Sequence, residues 1–135
     1  MKRHEKLQDL SREHHDALRL ALHAKRAALS GDVAQVAASA LACVNAFSLE
    51  LDPHFVIEEN DFLPPLAQSG EPELAQRTLN EHTELRRLVA QLRQPDAATL
   101  LGFSELLSAH VRFEERELFE VIERHIGNKA FARSI

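Results

Sequence analysis

"HVRFEERELF", His110 to Phe119, decides how this chain folds. His110 and Glu114 are four residues apart, so on a helix they stand on one face, one turn from each other. The apolar stripe that leads to them runs Leu100, Phe103, Leu107 and continues through His110 and Glu114 to Val121. That spacing is helical, and it sets an imidazole and a carboxylate where core side chains belong. A buried carboxylate needs a partner for its charge, and a metal cation is one. The same design recurs in "HFVIEENDFL", where His54 and Glu58 continue a stripe from Phe47 and Leu51. One His-x-x-x-Glu pair carries little weight among eight histidines; register and repetition carry it.

Working outward, 135 residues make one domain, 1–135, with an adequate core. Residues 1–10 read as a polar lead-in with Leu7 and Leu10 as anchors, and 128–135 as a tail. Few glycines and prolines suit long helices. A net charge of −5, with Lys and Arg scattered among Asp and Glu, argues against nucleic acid or an anionic membrane as partner. No run approaches the roughly 18–20 apolar residues of a membrane span, and "MKRHEKLQDL" has no signal-peptide core. The expectation is a cytoplasmic protein. The single cysteine, Cys43, excludes an internal disulfide and reads as a small buried hydrophobe.

Three breaks divide the chain: "SGD" at 30–32, "SGEP" at 69–72 and "QPD" at 94–96. Before the first, Ser11 reads as an N-cap and Leu18, Leu22 and Leu29 as a stripe that His15 joins, with His14 at its edge. The second helix starts near Val33 and is alanine-rich. Pro53 should kink it or restart it with Asp52 as cap. The third carries Leu74, Thr78, His82, Leu85, Val89 and Leu92 on one stripe, and the fourth runs from about Ala97 to Ile126, with Gly127 as a stop. Four amphipathic helices with short connections predict an all-α, antiparallel, up-down-up-down four-helix bundle.

Residues that face each other in an antiparallel pair are mirrored about the turn. The midpoint of His54 and His82 falls at Gln68, and that of His82 and His110 at Asp96, both at breaks. Three histidines thus stand at one height. His15 and His54 mirror about a point some three residues past Gly31, an axial offset of about 10 Å at 1.5 Å per residue. An internal repeat supports His15 over His14: "HHDALRLAL" resembles "EHTELRRLV" with His15 placed on His82, as "HFVIEENDFL" resembles "HVRFEERELF".

Four histidines and two glutamates converging inside a bundle suit a dinuclear site. Carboxylates with imidazoles fit iron or manganese, with zinc as an alternative. Glu58 and Glu114 could each bridge two metals, leaving room for a small molecule. Ferritin-like bundles use Glu-x-x-His, but the residues three before these histidines are Arg12, Leu51, Leu79 and Leu107. His4, His23 and His125 read as surface residues, and Glu59 and Glu115 as facing outward or to a helix seam.

At these residues, from "SREHHDAL" to "HVRFEERELF", essentially the whole chain resembles the hemerythrin-like family, also called the HHE cation-binding domain. The resemblance implies a non-haem di-iron centre with bridging carboxylates and an oxo or hydroxo bridge. Carried over by position, its ligands are His15, His54, Glu58, His82, His110 and Glu114. Oxygen-carrying members have a second His one turn after the third-helix His, where this chain has Arg86, and an Asp where it has Glu114. The chain looks more like the six-ligand branch, whose members are linked to iron sensing, peroxide breakdown or handling of nitric oxide. The expected function is binding or reaction with O2, peroxide or NO in sensing or detoxification. Its enzymatic form is peroxide consumption of a catalase-like kind. Reversible oxygen binding, iron storage and a bundle merely clamped by metal are the alternatives. Arg86 either points near the site or reaches to solvent.

Overall fold

The first three helices end where a break was read. The computed structural model describes residues 4–126. Its helices are α1 (Glu5–Ala28), α2 (Val33–Gln68), α3 (Pro72–Gln91) and α4 (97–126). Gly31 and Gly70 turn the chain at φ 71° and 98°, where a side chain would be strained. Asp32 caps α2 by accepting from the Ala34 and Gln35 N–H groups, and Asp96 caps α4 through Thr99. Consecutive helices pack antiparallel and α1 closes against α4, so the up-down-up-down bundle stands.

Three expectations change. α1 starts at Glu5, not after Ser11, and buries Leu7 and Leu10, so the lead-in is helix from Glu5 on. The Gly127 stop and the 128–135 tail lie outside the described residues. Second, beyond His14 the buried residues of α1 are alanines and not leucines. Leu7, Leu10, His14, Ala17, Ala21, Ala24 and Ala28 form the inner face, while Leu22 and Leu29 are exposed. Small side chains let α1 lie close along α4, and that contact is the most extensive in the bundle. Third, Pro53 does not restart α2, which continues through it.

Pro53 is accommodated by a π-helical turn, Phe47–Leu51, just before it. A second π turn, Glu58–Phe62, precedes Pro64 and Pro65. A proline lacks the N–H that an α-helix needs, and the wider i→i+5 turn loosens the ladder there. A third π turn, Glu114–Leu118, has no proline after it. Each π turn delays the inward face by one residue. Beyond Glu114 the buried residues are therefore Leu118, Phe119 and Ile122, and the predicted Val121 is only half-buried.

The core comes in two parts. One, around Leu85, Leu100, Phe103 and Leu107, fills the end with the first and third breaks. The other, around Leu10, Phe62, Leu66, Phe119 and Ile122, fills the end with the second break. Between them lie buried His14, His54, Glu58, His82, His110 and Glu114. Cys43 is a free, fully buried thiol whose pKa burial pushes up to about 11. By length and composition alone α2 could cross a membrane, a test that a core helix also meets, and its inner face supplies Cys43, Phe47, Leu51 and Phe55 to the core.

Candidate metal centre

Burying a carboxylate inside a bundle is costly unless its charge is matched. Here two are buried, Glu58 and Glu114, at 1% and 0% exposure. Their four oxygens face four imidazole Nε2 atoms. Glu58 Oε1 lies 3.0 Å from His82 and Oε2 lies 3.2 Å from His54. Glu114 Oε1 lies 2.8 Å from His14 and Oε2 lies 3.0 Å from His110. Two four-residue groups result: His14, His54, Glu58 and Glu114, and Glu58, His82, His110 and Glu114. Both carboxylates belong to both groups.

Five of the six predicted ligands are thus brought together, and His15 is not. It is exposed, on the rim of a cleft between α1 and α4, while His14 is 4% exposed and takes the inward place. The reason is the alanine face: His14 stands four residues after Leu10 and three before Ala17. The axial offset that troubled His15 is eased by the π turn at Phe47–Leu51, which spends an extra residue before His54.

The outer ring nitrogens are also committed. Each Nδ1–H donates to a glutamate on the helix before it, taken cyclically. His54 reaches Glu13 (2.6 Å), His82 reaches Glu59 (2.7 Å), His110 reaches Glu81 (2.6 Å) and His14 reaches Glu115 (2.9 Å). Such bonds turn each Nε2 inward as the available ligand atom, with His14 Nε2 bonded to Glu114 Oε1 at 2.8 Å. Glu59 and Glu115 therefore face the seams, as the sequence allowed, but with a task it did not assign. Glu13 and Glu81 were missed. The available signal was the dipeptide Glu-His at 13–14 and again at 81–82, matched by Glu-Glu at 58–59 and 114–115.

Arg86 does not point into the centre. It gives Nε to Asp52 (2.8 Å) and Nη1 and Nη2 to Glu59 (2.8 and 3.3 Å). Phe55 stacks flat on His82 at 3.8 Å, and Phe119 stacks on His14 at 5.2 Å.

Burial works against charge on His54, yet the facing Glu58 and its other carboxylate partners push its pKa up to about 12. The same contest raises His110 to about 10 and His82 to about 9. Glu114 resists burial through His110, His14 and His54 and stays well below the usual carboxylate range. Despite this proximity, His54 Nε2, His82 Nε2, His110 Nε2, both Glu58 oxygens and Glu114 Oε2 lack a hydrogen-bond partner of acceptable geometry. Six orphaned donor atoms of metal-ligand chemistry, aimed at one volume, fit cations and nothing apolar.

A profile of the hemerythrin HHE cation-binding domain matches residues 6–122. The chain belongs to that family. No curated protein and no solved structure matches it. Membership in this HHE family carries cation binding with it, and the two His/Glu groups fit a metal site.

Proposed function

We propose that this HHE-domain protein holds two iron ions between His14, His54, Glu58, His82, His110 and Glu114, and binds or reacts with O2, peroxide or NO in sensing or detoxification. The observation that carries the reading is the set of orphaned atoms around two shared carboxylates. Each of the two groups contributes two imidazoles, and both include Glu58 and Glu114, which would be the ligands common to two metals. When bound, a metal pair with few protein ligands supplies redox chemistry and positions that a small molecule can take. The chain's own residues do the rest. The four outer glutamates hold the histidines with Nε2 inward. Phe55 covers one face of His82 and Phe119 one face of His14. Arg86, bound to Asp52 and Glu59, supplies no ligand: a guanidinium donates only.

A sensing or reactive site is favoured over oxygen carriage because Arg86 stands where the resemblance places a further histidine in oxygen carriers, so that the His82 group has only two imidazoles and the two shared carboxylates. The test is metal quantification with absorption spectra on aerobically and anaerobically purified protein, followed by peroxide and NO additions. About two irons per chain and a spectrum that changes with peroxide or NO are expected. Metal-free protein after iron reconstitution would defeat the reading. A stable oxygen adduct reversed by degassing would favour carriage.

A further inference from the structure

Two of the outer glutamates also hold an arginine: Arg77 Nε bonds Glu81 at 3.1 Å on the oxygen that His110 does not use, whereas in Glu59 one oxygen is shared. Glu59 Oε2 accepts two bonds at once, from His82 Nδ1 at 2.7 Å and from Arg86 Nη1 at 2.8 Å. Arg86 Nη2 holds the other oxygen at 3.3 Å, so the guanidinium grips the carboxylate on both sides. Asp52 anchors Arg86 from α2 at 2.8 Å. A second route runs through the ring system: Arg86 Cζ lies 5.7 Å from the centre of Phe55, and Phe55 lies flat on His82. The cation thus reaches one particular imidazole by a hydrogen-bonded path and by a stacked path.

We propose that Arg86 is a positioning residue that sets the donor strength of His82 through Glu59. The physical basis is competition for one oxygen. A carboxylate that already accepts from a guanidinium pulls less on the imidazole N–H, so a metal-bound His82 would be a neutral imidazole of moderate donor strength. Without the cation, Glu59 becomes the more basic acceptor, draws the Nδ1 proton closer, and makes Nε2 electron-rich. In an iron-loaded centre a more electron-rich ligand favours the oxidised metal, so loss of Arg86 lowers the reduction potential. A plain surface ion pair would contribute little and would act on stability alone.

The inference rests on the metal reading above, and the experiment separates the two. Zinc, redox-silent and diamagnetic, is the probe. The His82 Nδ1–H proton is followed by NMR in zinc-loaded wild type, Arg86→Met, Arg86→Lys and Asp52→Asn. Expected is a downfield move in Arg86→Met and a near-wild-type position in Arg86→Lys, which keeps the charge. Asp52→Asn, which loses an ion pair but keeps the Arg86–Glu59 grip, should leave the resonance in place even if stability falls. The iron-loaded Arg86→Met protein should have a lower midpoint potential than wild type. An unchanged or upfield resonance in Arg86→Met, or the same downfield move in Asp52→Asn, overturns the proposal while the metal site stands. If wild type takes up no zinc and His82 is unaffected by it, the metal reading fails and this inference falls with it.

Discussion

Glu13 Oε2 on α1 lies 2.6 Å from His54 Nδ1 on α2, although the glutamate itself is about half exposed. A solvent-reaching residue thereby fixes the tautomer of a buried one. Replacing Glu13 with Gln removes the charge and keeps the shape. Metal affinity, measured by chelator competition with zinc, should fall about 10–100-fold, as outer partners of ligating histidines typically require. An affinity equal to wild type would show that the bond does not orient His54.

His14→Ala should lower the metal content, because His14 Nε2 faces Glu114 at 2.8 Å. His15→Ala should leave it at the wild-type value, because that side chain is exposed. Metal analysis of both variants after identical reconstitution decides between neighbours that differ by one position. Loss of metal from His15→Ala alone would reverse the assignment.

That pair also marks where the sequence was legible. The bundle could be read because Gly31, Gly70 and the capping aspartates punctuate strong periodic stretches, and His54, Glu58, His82, His110 and Glu114 followed from register. His14 was passed over because leucines outweigh alanines in any apolar pattern. Yet Ala17, Ala21 and Ala24 are buried to 3% exposure or less and Leu29 is 64% exposed. Close helix packing selects small residues, and that selection depends on the neighbouring helix, which a single stretch does not reveal. The π turn after Glu114 was likewise hidden, since no proline announces it.

The alanine face can be tested by volume. Ala24 is fully buried where α1 meets the core, so Ala24→Leu should destabilise by about 1–3 kcal/mol through overpacking. Leu22→Ala, on the exposed side, should change stability by about 0.5 kcal/mol or less. Urea denaturation of both variants is sufficient. A larger effect at Leu22 would mean that another surface covers it.

The metal-free protein should lose stability on both sides of a narrow pH range. His82, His110 and His54 have pKa values raised to about 9, about 10 and about 12, because the glutamate carboxylates overcome the burial that opposes their charge. A raised folded pKa contributes stability that is full below the ordinary histidine value, about 6.5, and disappears as pH rises through the folded values. Glu114, held well below its usual range, contributes the opposite way: its share is present above about 4.5 and is lost as pH falls. Denaturation midpoints of metal-free protein should therefore be highest near pH 5–6 and lower at pH 9. Zinc addition near neutral pH should release protons, seen as acidification of weakly buffered solution. A flat midpoint from pH 6 to 9 would contradict the assignment of charged histidines.

The π turns at Glu58 and Glu114 stand at matching places in the two halves of the internal repeat. Each works like a one-residue insertion that was absorbed without breaking its helix. Apart from Phe113, the buried apolar residues ahead of it on its helix keep step with one core, and those behind it keep step with the other. The bundle is thus written in two frames of burial, spliced at its polar layer. Deleting one residue from 114–118 would restore an ordinary helix and improve local hydrogen bonding. It would also turn Leu118, Phe119 and Ile122 away from Phe62 and Leu66, so the apparent flaw in the backbone is the condition for both ends of the molecule to close.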